Sequence, residues 1–256
     1  MTIPFTAAQR QAIETALLVN FGSGPSAYAF EYQHSGIRGF NFGMTPSSFV
    51  MEQPLLECVA PMLPQGCVVI FAVCPFSFGK NNDDDNIRGR FERYFRVFDS
   101  TEPADELWFP YNALREEHGC DSVVMEQRTT SMLKTWSSEF DLTLTENNPL
   151  NTDAVCTRNA KSFETKRTHL VMLCEICERF GLRPHILLPP LAKALRERLP
   201  DGLFDIFVTE NIKKLPPVPV LDYTIRMDDA DFCGPVFLSL DGAVRFTQMI
   251  VLQLNL

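Results

Sequence analysis

Ser23 and Ser26 follow a short apolar run at 16–21, and His34 lies beyond both on the same connection. A serine hydroxyl becomes a nucleophile when a histidine takes its proton, so a Ser23–His34 or Ser26–His34 pair is one chemistry open to these residues. A loop histidine with no chemistry is the other reading of His34. His169 sits in a stretch with helical spacing, where solvent exposure is the expectation, and His185 reads as a strand-end residue; His118 completes the set. Cys174-Glu175-Ile176-Cys177 has the spacing of half a zinc site, but no second Cys-x-x-Cys or His pair accompanies it. Positions i and i+3 on an amphipathic helix are core positions, so no metal is expected there. Residues 80–86 line up Asn and Asp oxygens without the Gly and distal Glu of a calcium loop, and read as a solvated loop.

Alternating strand and helix signals position these groups. The runs 16–21 and 40–43 are short strands, the first closed by Gly22. Phe49, Leu55, Leu56, Val59 and Met62 recur at helical spacing over 47–62, and Pro64-Gln65-Gly66 stops that helix. The all-apolar run 67–73 is the clearest strand. A long helix is expected at 157–180, capped by Gly181, followed by a strand at 183–190, a helix at 191–199, a strand at 218–223 and a closing helix at 242–254. Residues 88–95 read as helical and 101–111 as exposed, within an irregular insertion around 80–150. Strand, helix, strand in repetition implies a single α/β domain over 1–256, with a parallel sheet covered on both faces.

Composition narrows the function classes. The chain has 256 residues, 45% hydrophobic and 21% charged, enough apolar material for a sizeable core. A net charge of -9 argues against a nucleic-acid groove, which needs clustered Lys and Arg. No run reaches the roughly 18 apolar residues of a membrane span, and the first residues do not read as a signal peptide. The eight cysteines sit mostly in apolar runs, as buried free thiols do in a reducing compartment, so a cytoplasmic location is expected. A nucleotide-binding doubly wound domain is a further reading, but Gly22-Ser23-Gly24 alone is no Gly-rich phosphate loop.

Four stretches, in order, carry a family resemblance: Val19-Asn20-Phe21-Gly22-Ser23-Gly24-Pro25-Ser26-Ala27-Tyr28-Ala29-Phe30, Gly39-Phe40-Asn41-Phe42-Gly43-Met44-Thr45-Pro46-Ser47-Ser48-Phe49, the run from Val68 to Cys74-Pro75-Phe76-Ser77-Phe78-Gly79, and Asp231-Phe232-Cys233-Gly234-Pro235-Val236-Phe237-Leu238-Ser239-Leu240-Asp241-Gly242-Ala243-Val244-Arg245-Phe246-Thr247. Together they resemble the SGNH (GDSL-like) hydrolases, in particular bacterial members linked to surface polysaccharide modification. The resemblance implies a three-layer, flavodoxin-like doubly wound parallel sheet, with a cleft lined by Ser23, Gly24, Gly43 and Ser77. It also implies a Ser-His-Asp triad, and there the chain departs from the pattern. Gly24 stands at the nucleophile position, Gly234 at the acid and Phe237 at the base. No cofactor is implied. The expectation is a non-catalytic binding or accessory protein for a glycan, an acyl-bearing small molecule or a protein partner. The alternative is an active O-acyl esterase or acyltransferase with Ser23 or Ser26 as a rearranged nucleophile and His34 as base. Cys233 is the thiol that falls in the corresponding site loop.

Overall fold

The computed structural model describes residues 3, 5–44, 47–79, 121–139 and 152–256. The expected loop at 80–86, helix at 88–95 and exposed stretch at 101–111 lie outside the described residues, as do His118 and Cys120.

Five strands form one sheet: β1 (Leu18–Phe21), β2 (Gly39–Asn41), β3 (Val68–Ala72), β4 (Arg183–Leu188) and β5 (Val220–Asp222). Their order is β2-β1-β3-β4-β5, and every pairing is parallel. From β1 the chain steps outward to β2, then crosses back to place β3 on the other flank of β1. The strand order therefore reverses beside β1, the position at whose carboxyl ends open parallel sheets generally bind ligands.

Alternation along the strands divides the core in two, because successive side chains point to opposite faces. Val19, Phe21, Val69, Phe71, Ile186 and Leu188 join one apolar cluster. Leu18, Val68, Ile70, Ala72, Leu187 and Leu221 join the other. The first face is covered by α1 (Ala7–Glu14), α4 (Phe49–Val59) and α6 (Thr152–Arg179), which contribute Ile13, Leu55, Leu56, Leu170 and Leu173. Tyr32 from α3 (Tyr32–Ser35) and Phe246 and Ile250 from α9 (Leu240–Leu254) cover the second. A parallel sheet lined by helices on both sides is thus present. Each fully buried leucine in these layers stabilises by about 2 kcal/mol relative to exposure.

Local chemistry sets the helix ends. Thr6 and Gln9 form a reciprocal capping box at α1. Ser239 accepts from the Gly242 N–H to start α9, slightly ahead of the beginning at 242 that sequence spacing suggests. Gly181, at φ 66°, follows α6 in the left-handed conformation expected of it. α6 itself begins at Thr152, earlier than the spacing of its apolar residues predicts. The helix expected at 191–199 is reduced to the four-residue α7 (Lys193–Arg196). The short α8 (Glu210–Ile212) is tied to α6 by Arg167, whose Nη1 donates to Asn211 Oδ1 at 2.6 Å.

The sequence pattern gives no sign of α1, α3 or α8, and other elements escape it too. α2 (Gly24–Ala29) is buried along its whole length and shows no amphipathic period. An antiparallel hairpin joins β6 (Phe232–Gly234) to β7 (Phe237–Leu238) just before α9. Within the span read as an irregular insertion, α5 (Ser122–Glu139) is a regular helix of 18 residues.

Candidate functional site

The loop after β1 is shaped by crowding. Gly22 has φ 136°, and a Cβ there would lie 2.7 Å from Ser26 Cβ and 3.0 Å from Ala72 Cβ. Only glycine fits this turn without strain. Ser23 then occupies the N-cap position of α2, but its hydroxyl makes no capping bond. Gly24 opens the helix and is buried.

Beneath this loop lies a closed polar network. Asn20, on the second face of β1, is fully buried. Its Nδ2 donates to Asn41 Oδ1 at 2.7 Å and to Ser26 Oγ at 3.0 Å. Its Oδ1 accepts from the Tyr32 hydroxyl at 2.9 Å. Asn41 Nδ2 donates to the carbonyls of Ala27 and Phe30 at 2.9 and 3.1 Å, and its Oδ1 accepts from the Gly43 N–H at 2.9 Å. Ser26 Oγ donates to the Phe21 carbonyl at 2.8 Å. Burial holds the Tyr32 phenol well above its ordinary range, so it remains a donor. Every polar side-chain atom of Asn20 and Asn41 thereby has a partner, and the network locks the ends of β1 and β2 to α2.

This geometry distinguishes the candidate residues. Ser26 is fully buried and its hydroxyl serves a main-chain carbonyl. Ser23 is half-buried, and its hydroxyl stays out of the network. The Gly43 N–H is spent on Asn41, and a Cβ on Gly43 would fall 2.6 Å from Ala27 Cα, so close packing on α2 accounts for this glycine. Ser77 Oγ accepts from the Cys74 N–H at 3.0 Å and lies 3.3 Å from Cys74 Sγ. His34 is exposed on α3, with Nδ1 3.2 Å from Glu31 Oε1. Among the described residues no hydrogen bond joins Ser23 or Ser26 to a histidine.

The tail block folds onto the same loop. Phe237 on β7 packs against Tyr28 of α2, ring centroids 4.6 Å apart and planes tilted by 42°. A Cβ on Gly234 would meet the Phe237 ring at 3.2 Å. Cys233 is buried, its Sγ 3.3 Å from the Leu238 carbonyl oxygen, and its own carbonyl accepts from Arg128 of α5. Asp231, 3% exposed, pairs with Arg245 Nη2 at 2.9 Å. The glycine positions Gly24 and Gly234 and the ring of Phe237 thus sit on two elements that touch, α2 and the β6–β7 hairpin.

The remaining sequence candidates are structural. His185 is 9% exposed, and desolvation lowers its pKa. His169 is half-buried rather than exposed, because its Nδ1 lies 2.8 Å from Gln53 Oε1 across the α4–α6 contact. Burial pushes the Cys174 thiol up to about 12 and raises Cys177 further, which leaves both unreactive. Cys156 is exposed, contrary to the expectation for most of the cysteines, because it lies on the outer face of α6. Among the described residues no group of His, Cys, Asp and Glu could hold a metal ion, and no helix is long and apolar enough to cross a membrane.

A second polar cluster went unread in the sequence. Glu52 in the first turns of α4 is 1% exposed, and its Oε1 accepts from Ser47 Oγ at 2.7 Å. Burial lifts its carboxyl to about 7, against the Ser47 bond and the charge of Lys166. Lys166 lies on the buried stripe of α6 with Asn159, Ser162 and Leu170. That stripe was the available signal: a lysine in register with core leucines is a buried charge.

No protein-family model matches the sequence, and comparison with curated proteins returns no match.

Proposed function

We propose that this chain is an SGNH hydrolase-like domain whose triad has been retired, and that it acts by binding a glycan or acyl-bearing molecule rather than by hydrolysing it. The observation that carries this reading is the contact of Phe237 with Tyr28, with Gly234 under the same ring. A ring that moves no proton fills the side of α2 where the resemblance would put an imidazole. Gly24 offers no nucleophile at the start of that helix. The strand order β2-β1-β3-β4-β5 supports the flavodoxin-like, three-layer form of the fold, and such sheets bind ligands at the carboxyl ends beside the order reversal.

The test is chemical. A serine-directed fluorophosphonate should leave the native chain unlabelled, and acetyl esters should not turn over. The triple variant Gly24→Ser, Gly234→Asp, Phe237→His should gain labelling at residue 24, where the backbone has no positive φ to exclude serine. Stoichiometric labelling of the native chain with turnover would falsify the non-catalytic reading.

One observation favours the esterase alternative. Ser23 keeps a half-buried hydroxyl free of capping duty at the head of α2, whereas Ser26 is tied into the network. An active enzyme would therefore use Ser23, and Ser23→Ala should abolish its turnover. Activity that survives Ser23→Ala sinks this version.

A further inference from the structure

The β6–β7 hairpin receives a positive charge from outside the sheet. Arg128 of α5 donates from Nη1 to the Cys233 carbonyl, which anchors its guanidinium on the hairpin. Its aliphatic stem lies there too. A Cβ on Gly234 would meet Phe237 Cδ2 at 3.2 Å and Arg128 Cδ at 3.8 Å, so the ring and the arginine flank one bare stretch of backbone. Any side chain at 234 would wedge between them. Tyr28 packs on one side of the Phe237 ring, yet Phe237 is only half-buried and Arg128 is exposed. A ligand therefore meets both groups at the surface. The helix that brings Arg128 is itself held in place. Met125 joins the apolar cluster of Phe232 and Leu238. Arg198 Nη1 donates to Glu126 Oε1 at 2.6 Å and to Thr130 Oγ1 at 3.0 Å, residues on either side of Arg128 in the chain.

We propose that Arg128 and Phe237 form a recognition platform for an acidic sugar, the guanidinium taking the carboxylate and the ring taking the apolar C–H face of the pyranose. This names the ligand class of the glycan reading and rests on that reading. A sugar ring presents C–H groups on one face, which an aromatic side chain covers without needing a hydrogen bond. A guanidinium presents parallel N–H donors that match the two oxygens of a carboxylate. The bond to the Cys233 carbonyl fixes where that fork points, which lowers the ordering cost of binding. A neutral sugar engages the ring but offers no charge to the arginine. The chain as a whole carries a net charge of -9 and does not attract anions. A preference for the acidic form must therefore come from a cation at the binding surface.

The probes are immobilised gluco-, galacto- and manno-oligosaccharides, each beside its uronate form of equal length, titrated with the full chain on a biosensor. The uronate form of the sugar that binds should be held about fivefold tighter than the neutral form, the scale of an exposed ion pair. Arg128→Met should weaken the uronate form alone and erase the preference. Arg128→Lys keeps the charge without the planar fork and should retain part of the preference. Phe237→Ala should weaken both forms alike. Loosening of α5 or the hairpin would also weaken both forms, so a change in the ratio alone reports the charge. Circular dichroism checks folding; should Arg128→Met not fold, partial loss of the preference in Arg128→Lys carries the test. Equal binding of neutral and uronate forms by the native chain, or equal weakening of both by Arg128→Met, overturns the inference and leaves the glycan reading standing. Binding of neither form by any of the sugars counts against the glycan reading itself, and the inference falls with it.

Discussion

Two polar clusters, one at the ends of β1 and β2 and the other at the start of α4, follow opposite logic. Around Asn20 and Asn41 every donor and acceptor is matched, so the cluster fixes one geometry and has nothing left to offer a ligand. At the start of α4, by contrast, Ser48 Oγ and Glu52 Oε2 are buried without a partner. Saturated networks add rigidity, while unsaturated ones store free energy that a ligand could recover. The loop that resembles a catalytic centre is thus built like a structural element. The start of α4 instead keeps buried oxygens unpaired.

Breaking the saturated cluster should have the largest effect. Asn20→Leu strands Tyr32, Ser26 and Asn41 at once, and should cost about 4 kcal/mol, read as a lower denaturant midpoint with an unchanged slope. A loss under about 1 kcal/mol would mean that the network relaxes around the gap, contradicting its assigned rigidity.

The unsaturated cluster should respond to pH instead. The folded-state pKa of Glu52, about 7, lies above its ordinary value of 4.5, so the group's contribution to stability is full below that ordinary value and is lost as pH rises through about 7. Glu52→Gln should therefore be more stable than the native chain by about 3 kcal/mol at about pH 8, and indistinguishable at about pH 4. Parallel pH profiles for the two proteins would refute the burial of an ionisable carboxyl at this point.

The two serines of the loop sharpen the contrast at smaller scale. Ser26→Ala removes the donor to the Phe21 carbonyl and should cost about 1 to 2 kcal/mol. Ser23→Ala removes no capping bond and should stay within about 0.5 kcal/mol of the native chain. Equal losses would show that Ser23 is held as firmly as Ser26.

Much of the frame was legible because its signals are local. The runs at 16–21 and 67–73 are apolar on both faces, as buried parallel strands must be, and each became a strand. The helices at 47–62 and 157–180 carry a 3.6-residue period and appear as α4 and α6. α2 was hidden because a fully buried six-residue helix has no polar face to set a period. α5 was hidden because its stretch mixes Val, Met and Trp with Ser, Thr and Lys, although Met125, Leu133 and Trp136 give it a buried face in the core. Asn20 reads in sequence as a blemish in an apolar strand, yet it is the centre of the network.

Sequence alone determined the alternation of strands and helices, the Gly22 turn, and that positions 24, 234 and 237 hold residues that can do no acid–base chemistry. Those are properties of residue type and spacing along the chain. Tertiary structure decided which serine the network holds, where the Gly43 N–H points, and that Glu52, Ser48 and Lys166 are all buried. Hydrogen-bond partners and desolvation depend on groups far apart in sequence, as Asn20 with Asn41 and Glu52 with Lys166 show. A residue's type states what it can donate or accept; only its neighbours in the fold state what is left over.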